Sequence, residues 1–206
     1  MPDVTKVLAP LPLSATWESV DFNRYGGKGL YCACARFSRL YQLLLSTTNR
    51  IVMLDADSLV RGDLAVSLTQ RRDIGLVRAE DEPLWHQYLA GFTTFRRSPA
   101  AEQFLKELGT FLATNLATGR ARLYLDQIGL YACVHRRGGS FAEAVDHLPI
   151  ATFCDTLFRD GALVWSVTQS KDEDSPFALL KRSVLRRYDA LRRGQGQVGA
   201  PVGTQR

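Results

Sequence analysis

One stretch limits what this chain can become: Ile51-Val52-Met53-Leu54-Asp55-Ala56-Asp57-Ser58-Leu59-Val60. Four apolar residues without polar alternation, two of them β-branched, predict a buried strand. Such continuous runs are characteristic of parallel strands in α/β sheets. The strand ends in Asp-x-Asp. In open α/β sheets, ligands bind outside the carboxyl ends of the strands, so Asp55 and Asp57 are expected at the mouth of a crevice. Two carboxylates there suit a divalent cation, and the cation can hold a diphosphate. A single Asp after a strand is more often a turn former or a helix N-cap. Two at this spacing, after so apolar a run, favour a site.

The 206 residues suffice for the core of one α/β domain. Residues 1–193 read as that domain, and the Gly- and Gln-rich stretch 194–206 reads as a disordered tail. No run approaches the roughly 18 apolar residues of a membrane span. No basic flank and apolar core mark a secretory leader at Met1-Pro2-Asp3-Val4, so a cytoplasmic protein is expected. The four cysteines agree with that. Cys32 and Cys34 lie in a helical pattern, Cys133 and Cys154 stand alone, and no CxxC pair points to zinc. All four read as small buried thiols. The net charge of +5 comes largely from Lys181 onward. No helix-turn-helix, zinc-finger or aromatic RNA-binding signature accompanies it, and no nucleic-acid partner is expected.

In chain order, Val4 to Leu13 holds at most one short strand, interrupted by Pro10 and Pro12. Gly26-Gly27-Lys28-Gly29 lacks the spacing of a phosphate-binding loop and reads as a turn. Residues 30–46 form a helix, with Tyr31, Cys34, Phe37, Tyr41 and Leu44 on one face. Arg36 on that helix, taken alone, is a solvated arginine. A turn at Arg61-Gly62-Asp63 leads into a short helix ending at Leu68, and Asp73 to Val77 is a strand. Residues 78–87, with Glu80-Asp81-Glu82-Pro83, read as a mobile loop over the crevice. Tyr88 to Phe95 is a strand whose Ala90-Gly91 allows close approach by a ligand. Ser98-Pro99 starts a helix over 99–114. Another runs from Leu125 to about His135, with Asp126 as its N-cap. Short strands are expected around Leu148-Pro149 and from Ala162 to Val167, then a polar turn at 170–175. Phe177, Leu180, Val184, Tyr188 and Leu191 line one face of a C-terminal helix. Lys181, Arg182, Arg186, Arg187, Arg192 and Arg193 occupy the other. That basic face suits a solvated surface on a helix docked to the core, the commoner case, or peripheral contact with an anionic membrane.

Four pieces stand in a telling order: Ala35-Arg36-Phe37, Leu54-Asp55-Ala56-Asp57-Ser58-Leu59-Val60 with Asp63-Leu64, Leu89-Ala90-Gly91-Phe92, and Leu125-Asp126-Gln127. Over roughly residues 31–135 the chain resembles the nucleotide-diphospho-sugar glycosyltransferases of GT-A fold, especially the family-8-like members. The resemblance implies a GT-A-like, Rossmann-like mixed α/β sheet flanked by helices. It implies Mn²⁺ or Mg²⁺ on Asp55 and Asp57, and a UDP-sugar as the expected donor. Asp57, Asp126 and Gln127 would take part in catalysis, Asp57 by stabilising the leaving diphosphate and the other two by facing the transferred sugar. Arg36, Ala90, Gly91 and Lys171 would contact the donor. The acceptor, whether glycan, lipid or protein, is not specified.

The chain also departs from that pattern. Family members carry several base-binding strands before the arginine helix, so this half is expected to be shortened or absent. The family's late histidine ligand has no counterpart between Trp165 and Phe177, and His147 precedes Leu148-Pro149 instead. A second reading is a truncated or non-catalytic GT-A-like module, with sheet edges prone to pairing. A third is a haloacid-dehalogenase-type phosphohydrolase, with Asp55 as nucleophile and Asp57 as general acid. It leaves the Ala-Gly and Asp-Gln pieces unexplained.

Overall fold

The computed structural model describes residues 19–136, 141, 143–166 and 174–195. The strand expected within 4–13, Lys171 and most of the turn at 170–175 lie outside these residues. The first long helix, α1, spans Lys28–Ser46. Gly26 and Gly27 precede it with φ of 78° and 106°, conformations that favour glycine. The Gly-rich turn is therefore two residues long, and Lys28-Gly29 already belong to the helix. α1 buries Cys34, Phe37, Leu40 and Leu44.

Strands β1 (Ile51–Leu54), β3 (Ile74–Arg78), β4 (Tyr88–Phe95) and β5 (Val145–Pro149) form one mixed sheet in the order β1-β4-β3-β5. β4 runs antiparallel to both β1 and β3, while β3 and β5 are parallel. β1, β3 and β5 thus end at the same edge of the sheet. The expectation of a buried, parallel β1 is corrected. β1 pairs antiparallel with β4, from Ile51 opposite Phe95 to Leu54 opposite Phe92, and all four residues are half-buried. An unbroken apolar run reports that both faces are covered. It carries no information on strand direction or on lateral neighbours. Both faces are indeed covered, since Ile51 and Met53 pack into one core cluster and Val52 and Leu54 into the other.

The first cluster lies between the sheet and three helices: α1, α3 (Pro99–Ala117) and α4 (Leu125–Val134). Ser98 starts α3 as expected, its Oγ accepting the Ala101 N–H at 3.2 Å with Pro99 in the first turn. The helix runs a turn past 114 because Leu108, Leu112 and Leu116 continue one buried stripe. Gly129 lets α4 press onto α3, since a Cβ there would stand 2.7 Å from Leu108 Cδ1. The second cluster lies on the opposite face, beneath the short helices α2 (Leu64–Leu68) and α5 (Ile150–Phe153). A separate ribbon pairs β2 (Leu59–Val60) with β6 (Val164–Trp165) antiparallel. Helix α6 (Pro176–Gln195) follows that ribbon and takes in Gly194, earlier assigned to the tail. The result is a mixed α/β fold with helices flanking a mixed sheet. Among the described residues, no helix is long and apolar enough to cross a membrane.

Candidate active site

At the end of β1 the chain turns sharply. The Asp55 N–H donates to the Gly91 carbonyl at 3.0 Å, prolonging the β1–β4 ladder by one residue. The Ser58 N–H closes the turn onto the Asp55 carbonyl, also at 3.0 Å. This turn carries both acids. Asp55 faces a cleft of about 790 Å³, whose lining also includes Arg36, Ala90, Gly91, Asp126 and Gln127. Asp57 is exposed on the turn beside the cleft and is not part of its lining.

Arg36 ties the cleft together. Its two terminal nitrogens donate to different carboxylates, NH1 to Asp55 Oδ1 and NH2 to Asp126 Oδ2, the latter at 2.9 Å. Its Nε donates to the Ala33 carbonyl one helical turn back, at 3.1 Å. The arginine is therefore no solvated side chain. Its planar fork presents two terminal nitrogens in a fixed geometry, one for each acid. Asp126 is buried, and its Oδ1 accepts the Gln127 N–H at 2.9 Å. It is not the N-cap of α4. That position belongs to Tyr124, held at φ 65°, which frees the Asp126 carboxylate for Arg36. Gly91 has a steric reason to be glycine, because a Cβ there would lie 2.7 Å from Asp55 Oδ2.

Two further features belong to the site. The N-terminus of α1 opens on the cleft through Gly26, Gly29 and Leu30, and among the described residues no side chain caps it. Unsatisfied amides at a helix start attract anions. Among the described residues, Gln127 Oε1, which lines the cleft, and Ser58 Oγ, on the acidic turn outside that lining, are buried without a hydrogen-bond partner. Buried polar atoms are seldom left so, and one that borders a cleft points to a ligand group or water.

No protein-family model matches this chain, and no curated protein matches it significantly. The site must be read from its own chemistry.

Arg36 against Asp55 and Asp126 leaves the charged lining with a net negative charge, and Asp57 adds to it. Such a lining repels a bare diphosphate and attracts a cation. Among the described residues, no group of three or more His, Cys, Asp or Glu side chains gathers for a metal. A cation here would find Asp55, whose Oδ1 already accepts from Arg36, and the exposed Asp57, and would take phosphate and water oxygens as its remaining ligands, the habit of Mg²⁺ and Mn²⁺ at nucleotide sites.

His147 lies elsewhere, on β5 beside Tyr88, with ring centroids 5.8 Å apart. Residues 79–87 do not line the cleft. Their 3-10 turn, Leu84–His86, rests against α4, where His86 meets Tyr124 at 5.1 Å. Sequence reasoning missed Cys32, which is exposed and lines the cleft, whereas Cys34, Cys133 and Cys154 are buried as expected. Its position two residues from Cys34 on a helix was the available signal, since such neighbours face different sides.

Proposed function

We propose that this chain is a metal-dependent glycosyltransferase of GT-A type that moves a sugar from a nucleotide-diphosphate donor, with a UDP-sugar as the favoured class. The observation that carries this reading is convergence. Arg36, Asp55, Ala90-Gly91 and Asp126-Gln127 come from four separate stretches, and all of them border one cleft at the end of β1. Two ion pairs through Arg36 lock three of those stretches together.

The roles follow from the chemistry of each group. Asp55 and Asp57 would hold Mn²⁺ or Mg²⁺ with the donor diphosphate, and the bound cation would offset the charge growing on the leaving nucleoside diphosphate. The open amides of α1 would take a diphosphate oxygen. Arg36 fixes Asp55 and Asp126 in position and supplies positive charge between them. Gln127 Oε1, lacking a partner, is free to accept a hydrogen bond from a sugar hydroxyl. Asp126, on the same helical turn, would face the transferred sugar. Gly91 leaves room for the Asp55 carboxylate and a ligand beside the β4 backbone.

Calorimetry tests this directly. Mn²⁺, then UDP and UDP-sugars, are titrated into the wild type and into Asp55→Ala and Asp57→Ala variants. The expected outcome is nucleotide binding that needs Mn²⁺ and is lost in both variants. A folded wild type that binds none of these donors would overturn the reading.

A further inference from the structure

We propose that helix α6 binds the surface of an anionic lipid bilayer. Among the described residues, it is the start of the helix that packs on the folded body. Ser175 Oγ caps it by accepting the Ala178 N–H at 3.2 Å. Phe177 is buried with Ala162 and Trp165, stacking on Phe158 at 5.5 Å, and Leu180 packs against the same cluster.

Beyond that first anchorage the surroundings change. Every residue from Arg182 to Arg186 is exposed. At 3.6 residues per turn, five consecutive positions cover the whole circumference, so among the described residues this part of the helix is open to solvent on every side, the Arg182 pair with Asp174 apart. Yet it is not a polar helix. Val184 and Leu185 are 47% and 52% exposed, and Leu179, one turn earlier, is 52% exposed. Val184 continues the stripe begun by Phe177 and Leu180, and the sequence repeats that spacing at Tyr188 and Leu191.

The charge around these residues is mainly positive, with Asp174 just before the helix and Asp189 within it as the acids. From Ser175 to Tyr188 the sequence contains Lys181, Arg182, Arg186 and Arg187 and no acid. Lys181 lies 5.7 Å from the Phe177 ring, and Arg182 reaches back to Asp174 at 3.8 Å. A helix with an apolar stripe, a strongly basic remainder and modest overall hydrophobicity lies in the interface of an anionic bilayer. Nucleic acid would use the arginines and leave the leucines and Val184 in water. A lipid surface uses both, the charges through its headgroups and the apolar residues beneath them. This inference is independent of the chemistry in the cleft.

Co-sedimentation of the full chain with phosphatidylcholine vesicles, with and without phosphatidylglycerol, is the test. The expected result is binding only where phosphatidylglycerol is present, weakening as salt rises. Arg182→Glu/Arg186→Glu should reduce it about tenfold or more, and Val184→Ala/Leu185→Ala, which keeps helix propensity, should also weaken it. Thermal unfolding by circular dichroism should be unchanged in both variants, since these side chains are exposed. Three results would each overturn the proposal: absence of binding, equal binding to neutral vesicles, or full binding by Val184→Ala/Leu185→Ala. So would a dimer in light scattering that the Val184→Ala/Leu185→Ala variant dissolves, because a second copy would then be the occupant.

Discussion

Arg36 is the residue on which the cleft depends. Its side chain is 24% exposed and that of Asp126 only 9%, so removing the guanidinium leaves a nearly buried carboxylate without its counter-ion. Arg36→Ala should cost about 3 kcal/mol in urea unfolding. Asp126→Asn should cost less, and the double variant should fall well short of the sum, as expected for directly bonded partners. Additive losses would mean that the pair does not act as a unit. Cys32 offers a second reading at this scale. Burial pushes the thiols of Cys34 and Cys133 up to about 12 and that of Cys154 to about 11. Only thiolates react readily, so a thiol reagent should modify Cys32 in the native protein and spare the other three. Peptide mapping would show this, and bound donor should slow the labelling because Cys32 lines the cleft.

At the scale of elements, the loop between α5 and β6 is held by one buried acid. The Asp155 N–H donates to the Val164 carbonyl and the Ser166 N–H to the Asp155 carbonyl, both at 3.0 Å. Burial would raise the Asp155 carboxyl, but hydrogen bonds from the Arg159 guanidinium and backbone outweigh it and hold the group below the usual carboxylate range. Unfolded, it titrates near 3.8, so the stability it confers is complete above that pH. It is lost as pH falls through the lower folded value, when the native carboxylate too must take a proton. Asp155→Asn should therefore lower the urea midpoint at neutral pH and flatten its decline in the acid limb. An unchanged acid limb would assign that decline to other groups. The regular elements were legible because their signals are local. Ser98-Pro99 marked the start of α3, and the run from Tyr88 to Phe95 around Ala90-Gly91 marked β4 within the limits observed. Asp126 was misread as a cap because the φ of Tyr124 leaves no trace in residue type. Asp155 went unnoticed because its partner Arg159 lies in a stretch with no periodicity.

At the scale of the molecule, the sequence disclosed which stretches would meet but not how. Asp55, the arginine helix, Ala90-Gly91 and Asp126-Gln127 do border one cleft, while Asp57 stays exposed beside it. The ion pairs joining them span 19 and 90 residues of chain, and no local pattern announces such pairings. The direction of β1 was equally hidden, since burial of both faces is compatible with either sense of pairing. The β2–β6 ribbon has a consequence of another kind. Leu59, two residues past Asp57, pairs with Trp165, and Arg61 lies over the Trp165 ring at 3.9 Å. The chain between them must be gathered before this contact forms, and loop-closure entropy places such contacts late in folding. During synthesis the sheet strands emerge first, and the acidic turn gains its flanking ribbon only when residue 165 has left the ribosome. Up to that moment the nascent chain carries its motif without the frame that shapes it, and maturation of the site is timed by its far end.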